Sequence, residues 1–169
     1  YNTWSSISYI LIGLFFWDTK IRHLGKRLIV LGLGALLLHM TLRNYAQMID
    51  ELSMIVLSYD SMRHINPIVP KWGLVLTLMF YIMFHNSFMY FLMVFALLQI
   101  YIFNRVLKLG ARGIKKVLFI SYVLLFVLGT MCWALDQLYC ANIQTYQLHA
   151  WWHIFTALSI GCGFTALIV

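Results

Sequence analysis

The apolar residues of this chain are gathered into near-continuous runs, and those runs decide what it can fold into. A helix needs about 20 mostly apolar residues to cross the hydrocarbon core of a bilayer. Seven such runs are present, over residues 2–17, 27–44, 47–63, 70–85, 87–104, 115–138 and 146–169. None shows a polar face repeating at the helical period, as expected of segments buried in lipid and in one another. Strands are excluded, because an open sheet edge is unsatisfied in hydrocarbon and the runs are too long for barrel strands. The expected fold is all-α: an integral membrane bundle of seven transmembrane helices, with residues 1–169 as one domain. Only 10% of the residues are charged, against about a quarter in a soluble domain, and the mean hydropathy is +0.85. The chain begins at Tyr1 and ends inside an apolar run at Val169, so both ends read as truncated. No cleavable signal peptide is recognisable.

The net charge of +7 is a topology signal. Lys20, Arg22, Lys26 and Arg27 follow the first run, Arg63 and Lys71 the third, and Arg105, Lys108, Arg112, Lys115 and Lys116 the fifth. Alternate connections thus hold eleven of the twelve lysines and arginines, with Arg43 alone on the other side. That pattern places the basic loops in the cytosol and the N-terminus in the lumen or exterior, and it removes nucleic acid as a partner. Trp4, Trp133, Trp151 and Trp152 lie near run ends, where amphipathic rings favour the interface. The GxG in "LGLGA" (31–35) lies inside an apolar run, where small residues serve close helix approach and not phosphate binding. Pro67 and Pro70 punctuate the turn before the fourth run. Cys132, Cys140 and Cys162 form no CxxC pair.

Ionisable groups inside spans are costly, and are functional or paired. Asp18 reads as a solvated interface residue, and Asp60 as the surface partner of Arg63 at i+3. His23, His64 and His85 read as solvated loop residues. Six other groups fall in one leaflet when each is counted along its own run: His39, Asp50, Glu51, Asp136, His149 and His153. His149 and His153, in "QLHAWWH", are one turn apart on one helix face. A lone histidine in an apolar helix is more often hydrogen-bonded structure than a ligand. Two imidazoles at i and i+4 can bind one ion, however, and His39 from a second helix completes three nitrogen ligands, the catalytic zinc arrangement with its fourth position open for water. Asp50, across a tight turn from His39, reads equally as a proton carrier or as a partner of a ligand. Glu51, about 100° around the helix, reads as a helix-start or interhelical group, and Asp136 as a structural or ligand-supporting hydrogen-bonder.

The motifs "HMTL" (39–42), "QMIDELSM" (47–54), "CWALDQLYC" (132–140) and "LHAWWHIFTAL" (148–158) resemble those of the alkaline ceramidases, in the same order over nearly the whole chain. "NTWSSIS" is similar to the start of that family's first helix. The wider superfamily of seven-span hydrolases includes the adiponectin receptors and a lipid-remodelling enzyme of GPI anchors. The resemblance implies a zinc-dependent amidase of endoplasmic reticulum or Golgi membranes. It would cut ceramide to sphingosine and a fatty acid, with His39, His149 and His153 on the zinc, zinc-bound water as nucleophile and Asp50 as acid/base. It also implies a calcium-binding acidic segment upstream of this chain, and a luminal-loop cysteine at Cys140 whose partner lies upstream as well.

One position departs from the family. The pattern in the second run is SxxxH, and Ala35 stands at the serine position in "ALLLH". Losing a hydroxyl donor at a developing oxyanion can cost about 10²–10³ in rate. Ser53, three residues past Asp50, is the nearest sequence candidate for a substitute hydroxyl. The competing reading is therefore a catalytically weakened or silent zinc-binding lipid sensor or receptor of the same fold. An amidase or esterase for another lipid fits the same residues. Transport fits least, because the polar groups cluster in one leaflet.

Overall fold

The structure, a computed structural model, describes residues 1–169 with the exception of the Cys140 side chain, so the expectation attached to Cys140 lies outside the described residues. Its helices are α1 (Asn2–Ser5), α2 (Ile7–Phe15), α3 (Arg22–Thr41), α4 (Asn44–Ile65), α5 (Lys71–Met83), α6 (Phe88–Lys108), α7 (Gly113–Ile143) and α8 (Leu148–Ile168). A single 3-10 turn, Gln144–Tyr146, joins α7 to α8, and no strand occurs among the described residues. Four helices are long and apolar enough to cross a membrane: α3, α6, α7 and α8. The others fall short for identifiable reasons. α4 has 22 residues but carries Asp50, Glu51, Asp60 and Arg63, α5 has 13 residues, and the first run is divided at Ser6 into helices of 4 and 9.

The connections differ most from expectation between residues 139 and 146. A luminal loop was expected there; the backbone instead bends at Tyr139 (φ −130°, ψ 17°) and continues helically to Ile143. The turn between α3 and α4 is as tight as expected, and Leu42 in the left-handed conformation (φ 53°) reverses the chain.

Three apolar clusters hold the helices together. Tyr9, Phe16, Leu28, Leu57, Ala157 and Phe164 join α2, α3, α4 and α8. Tyr59, Met62, Ile102, Val106, Phe119 and Tyr122 join α4, α6 and α7. Ile55, Tyr81 and Phe91 seat α5 and α6 on α4. Leu33, Met79, Ile100, Leu124 and Leu158 point outward from five different helices, an apolar exterior that suits lipid and not water.

At one end of the bundle Arg27 pairs with Asp60 at 3.1 Å. This corrects the expected Asp60–Arg63 pair: Asp60 turns toward α3, and Nε of Arg63 donates to the Val69 carbonyl at 3.2 Å. His23 and His64 are exposed, as expected, but they belong to helix termini and face each other with ring centroids 5.5 Å apart. His39 lies sixteen residues beyond His23 on α3, about 24 Å along the axis, so the two histidine groups occupy opposite ends.

Close helix approach depends on glycine. A Cβ on Gly13 would lie 2.7 Å from the Gly25 carbonyl oxygen, and one on Gly34 would lie 3.2 Å from Cα of Asp50. The Gly34 contact sets α4, and with it Asp50, against α3. Gly13→Ala is expected to destabilise the chain by about 1–3 kcal/mol, because backbone cannot rotate away from the added methyl. Gly161→Ala meets Ile12 at an ordinary 3.4 Å and should be neutral or stabilising by up to about 1 kcal/mol through helix propensity. Thermal unfolding midpoints in detergent check both signs.

Candidate metal and proton-transfer site

His39 sits in the last turn of α3, and His149 and His153 in the first turns of α8. One ring nitrogen from each lies within 4.8 Å of the other two. Nε2 of His39 and Nε2 of His153 are 3.3 Å apart. Two nitrogens bound at about 2.0–2.1 Å to one tetrahedral zinc would be separated by roughly 3.3 Å, so this pair already has the spacing of two ligands.

The outer nitrogens of the α8 histidines face polar groups as well. Nδ1 of His153 lies 2.8 Å from Oγ of Ser5, whose own hydroxyl is 3.0 Å from the Asn2 carbonyl. A serine has one proton to give. With that proton on the Asn2 carbonyl, His153 donates from Nδ1 and its Nε2 lone pair faces the cluster. Nδ1 of His149 lies 3.6 Å from Oδ2 of Asp136, just beyond hydrogen-bond length. A carboxylate can only accept, so it too favours hydrogen on Nδ1 and a free Nε2. Supporting contacts of this kind orient imidazole ligands and raise their basicity. His153 is 3% exposed, edge-on to the Tyr9 ring at 5.7 Å, and the Tyr9 hydroxyl is tied to Thr156 at 2.6 Å. The donor set, its spacing and the orientation of its lone pairs fit a zinc ion.

Asp50 lines the same cavity, which has a volume of about 300 Å³. Its Oδ1 is buried and has no hydrogen-bond partner. A buried unpaired acceptor is expensive, and this one is the natural place for a proton or a donor from a bound molecule. Glu51 is 5% exposed; its two oxygens accept from Gln47 Nε2 on its own helix and from the Tyr81 hydroxyl on α5, both at 2.7 Å. The interhelical contact expected of Glu51 is therefore present, with a partner thirty residues away. Ser53 gives its hydroxyl to the Ile49 carbonyl at 2.7 Å and is not among the cavity-lining residues. Ala35 is 2% exposed, one turn before His39.

Trp133 and Trp152 line the cavity, stacked obliquely at 6.4 Å, and only Trp4 and Trp151 keep the exposed character expected of interface rings. A second cavity, of about 60 Å³, has a mainly apolar lining interrupted by Ser58, Ser61, Gln99 and Thr156, and shares Met54, Phe95, Gln99, Phe126 and Trp152 with the first. It reaches Ile65, fifteen residues beyond Asp50 and about 22 Å along the α4 axis.

Three features at this site were missed in the sequence: Ser5, Gln47 and Tyr81. "NTWSSIS" is distinguished by its resemblance alone, and no local pattern ties a serine at position 5 to a histidine 148 residues later.

An apolar helical chain with four membrane-length helices, and with three histidines close enough to hold a metal ion beside an unpaired carboxylate, has the makings of a membrane protein with a metal-competent cavity. The family model described as Ceramidase matches residues 1–169, and the chain belongs to the Ceramidase family. It is 29% identical to alkaline ceramidase 3 of Mus musculus over 78% of this chain and 59% of the mouse protein. It is 26% identical to an alkaline ceramidase of Arabidopsis thaliana over 99% of this chain and 75% of that protein. The chain thus spans less than two thirds of the length of the mouse relative.

If Ser5 and Asp136 orient the α8 imidazoles, Ser5→Ala and Asp136→Asn should each weaken zinc binding about 10- to 100-fold. Competition against a coloured chelator measures this. Asp18→Asn, at the far end of the bundle, should leave zinc affinity unchanged.

Proposed function

We propose that the chain is an intramembrane amide hydrolase that cuts ceramide into sphingosine and a free fatty acid. His39, His149 and His153 hold a zinc ion, and Asp50 carries the proton. The observation that carries this reading is the convergence of three imidazoles and an unpaired buried carboxylate oxygen on one cavity. Two further features support it. The cavity is polar at the histidine end and continues into an apolar one, which matches an amphiphile whose amide lies between a small polar head and long chains. The mouse and Arabidopsis relatives are named alkaline ceramidases.

Bound zinc would supply Lewis acidity toward the amide carbonyl and would lower the pKa of a water molecule. The remaining work falls to the protein's own groups. Hydrolysis adds the hydroxyl of water to the carbonyl carbon and breaks the C–N bond. Oδ1 of Asp50 takes the proton released by that water and returns it to the amide nitrogen, so that the amine leaves neutral. Trp133, Trp152 and Phe126 wall the cavity and restrict bulk water, which keeps these interactions strong. Ser5 and Asp136 act one bond further out, by holding the imidazole tautomers.

The same reading places the chain in endoplasmic reticulum or Golgi membranes, as one seven-span domain with α1 and α2 together forming the first span. The histidine end is luminal and the Arg27–Asp60 end cytosolic. This follows the charge asymmetry of the connections and the distance between the two histidine groups.

One observation favours a second reading. Ala35 offers no hydroxyl where the family pattern has one, and the nearby hydroxyls of Ser53 and Thr130 both donate to backbone carbonyls. A zinc-holding lipid sensor of the same fold, weakened or silent as a catalyst, is consistent with that. Purified protein with zinc should release sphingosine from ceramide, and Asp50→Asn should lower kcat about 10²–10⁴-fold with zinc retained. Ala35→Ser should raise kcat by about 10²–10³. If neither the chain nor Ala35→Ser turns ceramide over while both hold zinc and lipid, the hydrolase reading fails and the sensor stands.

A further inference from the structure

Glu51 is a buried carboxylate with no assigned task in the chemistry above. It lines the cavity beside Asp50, and no lysine or arginine occurs among the described residues around that cavity. An ionised carboxylate has about four acceptor positions on two oxygens. Gln47 and Tyr81 use one on each oxygen, which leaves capacity on both, and the cavity is the space they can serve. Burying a carboxylate in an apolar bundle is costly unless it is well supplied with donors. Two neutral donors are a thin supply for a group this enclosed, and a link between α4 and α5 alone needs no charge, since a glutamine would make it. The unpaired Oδ1 of Asp50, one residue away, shows that this end of the cavity is short of donors as a whole.

We propose that Glu51 is the specificity-determining residue for the polar head of the substrate: it accepts a hydrogen bond from a free hydroxyl on a carbon next to the amide-bearing carbon. The assignment rests on the ceramide reading and deepens it. Ceramide carries two such hydroxyls, one primary and one secondary, each one carbon from the amide-bearing carbon. Asp50 and Glu51 are consecutive on α4 and both line the cavity despite the turn of about 100° between them, so a molecule that brings its amide to Asp50 has its neighbouring hydroxyls within the same space as Glu51. Gln47, one turn back on α4, fixes the carboxylate in place before the head group arrives, and Tyr81 ties it to α5. Glu51 acts as a binding residue and takes no part in proton transfer to the amide.

The test compares ceramide with two analogues, one lacking the primary and one lacking the secondary hydroxyl. Binding to the zinc-loaded full chain is read by displacement of a fluorescent ceramide, and KM and kcat are measured separately. The unaltered chain should prefer ceramide over one of the two analogues by about 10- to 100-fold, the range for a hydrogen bond to a charged partner. Glu51→Gln should reduce that preference to threefold or less, through KM and not kcat. Tyr81→Phe cuts the α5 link but keeps the carboxylate, and should keep the preference. The proposal is overturned if the unaltered chain binds all three lipids equally, if Glu51→Gln keeps the preference, or if Tyr81→Phe abolishes it as well. Because binding is read apart from turnover, a chain that discriminates among the lipids but hydrolyses none, with Ala35→Ser equally inactive, refutes the hydrolase reading and leaves Glu51 as the head-group residue.

Discussion

In apolar surroundings a polar side chain must find a partner, and that requirement organises the histidine end of this bundle. His39, His149 and His153 come from two helices far apart in sequence, and each would be a liability alone. Together they share one volume, with Ser5 and Asp136 behind the α8 pair. The helices are pinned accordingly: α1 to α8 through Ser5 and His153, α7 to α8 through Asp136 and His149, and α4 to α5 through Glu51 and Tyr81. Apolar packing holds the helices side by side, and these few polar contacts settle their register.

The same requirement explains why α4 is the least apolar long helix. It carries Asp50 and Glu51 toward the cavity, Ser58 toward Gln99 at 2.8 Å, and Asp60 toward Arg27. Each of these lowers its fitness as a free-standing span; Glu51, Ser58 and Asp60 are each matched by a neighbour, and Asp50 alone is left open to the cavity. α4 depends on the assembled bundle for those partners, whereas α7 and α8 are long and apolar enough to cross a membrane.

Much of this could be read along the chain. Helices were legible wherever an apolar run was long, because length and continuity alone decide that in hydrocarbon. His149 and His153 were legible as a pair because i and i+4 share a face whatever the tertiary structure. The convergence of His39 and Asp50 was legible because a tight turn joins their helices. What escaped was long-range and carried by ordinary residues. Ser5 and Tyr81 are unremarkable by themselves, and their importance comes only from what folding sets beside them. Asp60 shows the converse error: the i+3 arginine was the nearest partner in sequence, but α3 supplied a better-placed one. The helical stretch from Ala141 to Tyr146 also escaped, since a short, mixed-polarity connection carries no periodic signal.

Ala35 brings these points together. Its position is closed, one turn before His39 and packed where α3 meets its neighbours. A serine there would add one oxygen to a small buried site and would need a partner. A hydroxyl inside a helix commonly satisfies itself on the carbonyl four residues back, as Ser53, Ser58 and Thr130 all do here. A serine at position 35 could therefore be housed without an orphaned proton, and its oxygen would still be able to accept from, or turn toward, a group at the histidines. Alanine keeps the packing and removes only that option. Ala35 is buried and does not itself line the cavity, so the bundle, the imidazole cluster and the Asp50 carboxylate are all compatible with either residue.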